Sequence, residues 1–203
     1  MRKVETKRDP ELTKKILLEA SEKLFLERGF GRVSLSDIAK ESGITKSLIH
    51  HYYGSKENLW NQVKQNLFSE YYRQQQREFA HIDDRGDLLE NFITLYFDHL
   101  KNNPKFVRMV QWIYLENDDQ SDRANRELLE AGIMNFQMGI DAGLLRNDAQ
   151  AFFMQFICIA LPQVWFMARD KFILDAGENA PSGDVDALFL DSMKKIIMRG
   201  IRR

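Results

Sequence analysis

SLSDIAKESGITKSLIHHYYGS, residues 34–55, reads as two short helices and the tight turn between them. Ser34 is suited to cap a helix start, Asp37 three residues later sits near the positive helix end, and Ile38 and Ala39 fall on the inward face. Gly43 supplies the left-handed residue that ends such a helix. Only Ile44 then precedes Thr45, a second N-cap, and Ile44 can staple against Ile49 four positions into the next helix. That helix, Lys46 to Tyr53, closes at Gly54, and Ser55 caps another. Helix, short glycine-containing turn, helix is the helix-turn-helix pattern.

Working outward, residues 10–28 place Leu12, Ile16, Leu17, Ala20, Leu24 and Phe25 on one stripe before Gly29. The helix after Ser55 carries Leu59, Trp60, Val63 and Leu67. Further helices are expected over 86–101, 104–116, 121–142, 149–174 and 185–199, with Asn103 before Pro104 and Asp148 as caps and GENAPSG at 177–183 as a loop. Apolar residues recur at three and four throughout and nowhere alternate over a long stretch, so the fold class is all-α with about nine helices. The expected division is a helix-turn-helix domain at 1–57 with a basic arm, followed by a helical bundle at 58–203.

The formal net charge of −1 argues against a nonspecific polyanion binder, but its distribution is uneven. Residues 1–60 hold 12 Lys and Arg against 9 Asp and Glu, whereas the remainder holds 17 against 21. Arg2, Lys3, Lys7 and Arg8 suit an arm that follows a nucleic-acid backbone, or simply a solvated tail. The charged N-terminus lacks the pattern of an export signal, which sets a cytoplasmic expectation. The apolar run 152–168 contains Gln155, Pro162 and Gln163 and falls short of the ~20 residues of a bilayer span, so a buried helix is expected and no membrane partner. Cys158, the only cysteine, lies in that run as a small hydrophobe, with no disulfide within the chain.

On the third helix, Ile49 and Tyr53 must face the small core, which turns Lys46, Ser47, Leu48, His50 and His51 wholly or partly outward. A cation for phosphate or guanine, a hydroxyl, an apolar surface for a thymine methyl and imidazole edges make a set suited to double-stranded DNA. Ser34, Thr45 and Tyr52 belong with them, as does Lys56 at a helix N-terminus where a phosphate could be held. A solvated helix hairpin accounts for any one of these residues, but not for the joint pattern. Adjacent histidines do not share a helix face, and no Cys or carboxylate stands at i+3 or i+4, so neither a metal nor another cofactor is expected. His81 and His99 are isolated. No catalytic order of Ser, His and Asp, phosphate-binding glycine loop or Glu-x-x-His pair points to an enzyme.

LLEASEKLFLERGFGRVSLSDIAKESGITKSLIHHYYGSKENLW, residues 17–60, resembles the N-terminal pattern of the TetR family nearly end to end. Leu24-Phe25, Gly29-Phe30, Asp37-Ile38-Ala39, Ser42-Gly43-Ile44, Lys46 and Gly54-Ser55-Lys56-Glu57 occupy the family's typical positions. The resemblance depends on under a quarter of the chain. It implies a homodimeric transcription regulator that binds a near-palindromic operator and senses a small molecule. Two positions depart from the pattern: His50 stands where the family usually has a phosphate-gripping Tyr, and Leu48 where Thr or Ser is common.

In the second domain, residues 88–100 carry apolar side chains around most of a helix, interleaved with Asn91, Thr94, Asp98 and His99. Buried polar groups need partners, and a pocket is one way to supply them. Tyr96, His99, Gln111, Trp112, Phe136, Gln155, Phe156 and Trp165 could line it; ordinary core packing is the alternative for each aromatic. Val185, Leu188, Phe189, Met193, Ile196 and Ile197 form a stripe on the last helix, and Phe153 and Val164 lie in the apolar run. Together they make the expected interface, which the resemblance implies is a twofold four-helix bundle. A DNA-binding factor without a small-molecule effector is the competing reading.

Overall fold

The computed structural model describes residues 9–79, 88–118 and 123–202. The basic arm before Asp9, His81, and the expected helix starts at Gly86 and Ser121 lie outside these residues. Among the described residues there are nine α-helices: α1 (Pro10–Arg28), α2 (Leu35–Ser42), α3 (Lys46–Tyr53), α4 (Lys56–Phe79), α5 (Leu88–Asn102), α6 (Pro104–Leu115), α7 (Arg123–Asp141), α8 (Ala151–Ala176) and α9 (Val185–Ile201). A 3-10 turn, Gly177–Asn179, opens the 177–183 loop, and Leu145 and Arg202 form one isolated bridge.

Two compact units divide the chain, one from residues 1–67 and 109–122, the other from 68–108 and 123–203. The expected boundary at residue 57 therefore falls inside the first unit, because Leu59, Trp60, Val63 and Met109 are core residues of that unit. These four pack with Leu17, Leu24, Phe25, Val33, Ile38, Ile44 and Ile49. Phe25 meets Trp60 edge to face at 5.2 Å between ring centroids, an arrangement that adds to burial alone.

In the second unit α8 packs against α5, α7 and α9. Ile93, Phe97, Phe136, Met154, Cys158, Met193 and Ile197 are buried together. By length and composition α8 is apolar enough to cross a membrane; Ala151, Met154, Gln155, Cys158 and Pro162 are its buried residues. Burial pushes the Cys158 thiol up to about 12, which keeps it neutral and unreactive. Asp148 does not cap α8 as expected: Gln150 holds the cap position without a side-chain bond, and Asp148 is paired with Arg146, whose backbone N–H donates to Ile201.

A polar network joins α8 to α9. Asp186 accepts from the Trp165 indole at 2.9 Å and from Arg169 at 2.6 and 2.5 Å, while Trp165 stacks on Phe189 at 4.2 Å. Burial pushes the Asp186 carboxyl up, but Arg169 and Trp165 outweigh it and hold it below the ordinary carboxylate range. A carboxyl lowered on folding lends stability above its unfolded pKa, and that stability is lost as pH falls through the folded value. Asp186→Asn is expected to lower the melting midpoint at pH 7 by about 2–10 °C, for loss of about 1–3 kcal/mol of charge-assisted hydrogen bonding. The gap to the parent narrows below about pH 4. Thermal melts at pH 7 and pH 3 check this, and a gap independent of pH would assign the loss to packing.

Candidate nucleic-acid interface

The short α2 and α3 are held by their ends. At the start of α2, the Ser34 backbone N–H donates to Asp37 Oδ2 at 2.9 Å, its hydroxyl donates to the same oxygen at 2.5 Å, and the Asp37 N–H returns to Ser34 Oγ at 3.2 Å. These bonds from Ser34 lower the Asp37 pKa. Gly43 ends α2 at φ 67°, ψ 17°, where a residue with a Cβ is disfavoured. Thr45 caps α3 by accepting the Leu48 N–H at 3.4 Å. Ile38, Ile44 and Ile49 are buried on the shared inner face, so the angle between the two helices is set by caps and core together.

That packing leaves Thr45, Lys46, Ser47, His50 and His51 exposed, with Leu48 and Tyr52 half-buried at the edge of the core. They share one short helix and its cap, as the spacing predicts. Two further contacts lay beyond any local pattern: the Tyr53 hydroxyl donates to the Lys14 carbonyl at 3.1 Å, and the Lys14 ammonium lies 5.8 Å from the Tyr52 ring centroid. They tie α3 to α1.

Three expected contributions change in chemical detail. Both donors of Ser34 are committed to Asp37, so Ser34 serves the fold rather than offering a hydrogen to phosphate. The Lys56 ammonium donates to the Phe30 carbonyl at 3.0 Å and lies 4.0 Å from the Phe30 ring centroid. It therefore secures the α1–α2 turn, and only its remaining N–H groups are available to an anion. His50 Nδ1 lies 2.8 Å from the Gly54 carbonyl. A carbonyl only accepts, so this nitrogen carries the hydrogen, and in the neutral ring Nε2 is left as an acceptor. Neutral His50 can thus accept from a base amino group, whereas donation to phosphate requires the imidazolium.

The residues expected to line a pocket do not all come together. Gln111 and Trp112 belong to the first unit, where the Trp112 indole donates to the Leu26 carbonyl at 3.0 Å. Phe156 is 59% exposed, on the outer side of α8. Tyr96, His99, Phe136 and Gln155 are buried in the second unit, and Trp165 is half-buried there in the Asp186 network. Tyr96 accepts from Gln163 at 2.5 Å. His99 packs against Tyr71 and Phe106 at 4.5 and 4.8 Å, and burial lowers its pKa to about 4, so it is neutral at pH 7. Gln155 Oε1 is buried with no hydrogen-bond partner among the described residues.

The expected interface also divides. Phe153, Val164, Leu188 and Ile196 are exposed, but Met193 and Ile197 are buried in the unit's own core, with Val185 and Phe189 half-buried. The i, i+4 series 185, 189, 193, 197 turns inward, and residues 188 and 196 point the other way. On α8, Phe152, Phe153, Phe156, Ile157, Leu161 and Val164 are exposed.

Residues 17–63 match the family model for bacterial regulatory proteins of the tetR family. The chain is 26% identical over 118 residues to the HTH-type transcriptional regulator BetI of Agrobacterium fabrum, a match covering 58% of this chain and 56% of that regulator. It is 24% identical over 201 residues to the HTH-type transcriptional repressor SCO4008 of Streptomyces coelicolor, covering 97% of this chain and 98% of that one. A transcriptional regulator from Saccharomonospora viridis, solved in complex with choline, shares the fold with a TM-score of 0.68 at 17% identity, covering 96% of this chain and 100% of that one.

Proposed function

We propose, from the match of residues 17–63 to the tetR family model and the likeness to regulators of that kind, that this chain is a TetR-family cytoplasmic repressor that binds a near-palindromic DNA site as a homodimer and is released by a small, largely apolar molecule. The carrying observation is the doubly capped α2–α3 pair, which buries Ile38, Ile44 and Ile49 and leaves Lys46, Ser47 and His50 on the outside. Two copies related by a twofold would set their α3 helices about 34–36 Å apart, in successive major grooves. The exposed apolar residues of α8 and α9 support that pairing, since contiguous apolar surface of this kind marks interaction sites. For the effector, buried polar groups among aromatic faces, Tyr96, His99 and Gln155 with Tyr71 and Phe106, have the mixed chemistry of a small-molecule site. Coupling of ~1–3 kcal/mol between effector and DNA sites is enough to change DNA affinity by one to two powers of ten.

Selection of bound duplexes from random DNA by the full chain tests the reading. Enrichment of inverted half-sites spaced by about 10 base pairs, or a multiple, is expected, and no enrichment overturns it. On the selected duplex, Leu48→Ala is expected to relax preference at one base position by about 1–3 kcal/mol, as loss of a base contact does. His50→Ala is expected to relax preference at a base that presents an amino group, because Nδ1–H is committed to the Gly54 carbonyl and Nε2 is left to accept. Competition titrations against single-base variants check both, and unchanged profiles would remove these side chains from the interface.

A further inference from the structure

We propose that Glu116 and Asp118, just past the end of α6, are positioning residues of the DNA-binding unit: they strap the α1–α2 turn and α4 into the geometry that presents α3 to DNA, and unstrapping them weakens DNA binding. The proposal rests on the DNA-binding function above. Glu116 Oε1 accepts the Gly31 N–H at 3.0 Å. Asp118 Oδ2 accepts the Trp60 indole N–H at 2.7 Å and is paired with the Lys64 ammonium, the two side chains being 11% and 4% exposed.

Between the two acids, Asn117 adopts φ 48°, the one positive value among the described residues other than glycine. Asn tolerates this conformation, and with the Asp118 N–H bonded to the Ile113 carbonyl at 3.1 Å it ends α6 so that the two carboxylates take separate partners. The strap has a prepared seat. A Cβ on Gly31 would lie 3.2 Å from Glu116 Oε2, and Trp112, one turn earlier, is bonded to Leu26.

These pins land on both sides of the reading helix. Leu26 and Gly31 precede the Ser34 cap, and Trp60 and Lys64 follow Gly54 and Ser55. Base readout tolerates misplacement of only about 0.5 Å, so the frame decides affinity as well as the exposed side chains do. A merely stabilising ion pair behaves differently, because neutral replacement of both partners of a buried pair is often close to neutral for folding.

The test uses the full chain and a duplex selected by the parent. Lys64→Met with Asp118→Asn removes both charges and keeps an oxygen for the Trp60 indole. The variant is expected to melt within a few degrees of the parent and to bind the duplex at least about tenfold more weakly, in the usual range of coupling effects. Glu116→Ala is expected to lose affinity similarly, and Glu116→Gln, which still accepts from Gly31, to recover most of it. A folded double variant that binds within about twofold of the parent, or more tightly, overturns the proposal. Should the double variant fail to fold, Glu116→Ala, whose hydrogen bond is solvent-exposed, decides by the same outcomes. A parent that selects no duplex overturns the DNA-binding reading itself.

Discussion

A chain carrying Phe153→Glu and Val164→Glu is expected to be monomeric and to bind its selected duplex at least about 100-fold more weakly than the parent, the usual scale of lost avidity. Phe153 and Val164 are 55% and 59% exposed on α8, so new carboxylates there meet water in an isolated protomer. In a twofold interface each substitution acts twice, placing four carboxylates in one seam. An unpaired charge cannot be kept in such a seam without a cost of several kcal/mol. A monomer reads one half-site and loses the second, which linkage had made intramolecular. Sedimentation equilibrium and duplex titration measure the two effects, and helical circular dichroism confirms that the protomer still folds. A variant that remains dimeric would move the seam away from this face of α8.

The helix-turn-helix and its supports were legible because their signals are local. Gly29, Ser34, Gly43, Thr45, Gly54 and Ser55 punctuate the chain within one turn of the groups they satisfy, and α1 ends, and α2 and α3 begin and end, where those residues predict. Contacts made across long separations were not legible. Trp112 reads as an aromatic for a second-domain pocket, yet its indole serves a carbonyl 86 residues earlier. Lys56 reads as a phosphate ligand, but the nearest acceptor offered by the fold is Phe30. Asp148 has cap chemistry, and Arg146 two residues away competes for it as a full charge. On α9 the apolar stripe was visible, but which half turns inward depends on the packing partners α5 and α8, about which periodicity is silent.

Gly29→Ala is expected to destabilise the first unit by about 2–6 kcal/mol, from two costs that add. Gly29 sits at φ 79°, ψ 171°, a region that residues with a Cβ enter only at about 1–3 kcal/mol. The added Cβ would also lie 2.7 Å from Trp112 Cε3 and Cζ3 and from Glu116 Oε1. The Glu116 carboxylate can swing away, but the indole is anchored through Nε1 to Leu26 and packs against the unit's core. Displacing it costs about 1–3 kcal/mol more, as overpacking does. Gly43→Ala is the milder comparison: Gly43 lies in the left-handed helical region at φ 67°, ψ 17°, less restrictive than the glycine-only region of Gly29, and an added Cβ there meets nothing within 4 Å. Gly29→Ala should therefore melt at least about 2 °C below Gly43→Ala, given roughly 2–4 °C per kcal/mol for a chain of this size. Its DNA binding should fall in step with the unfolding of that unit. Equal melting points for the two variants would mean that the Trp112 seat yields without cost, and the clash would then contribute nothing to the intolerance of position 29.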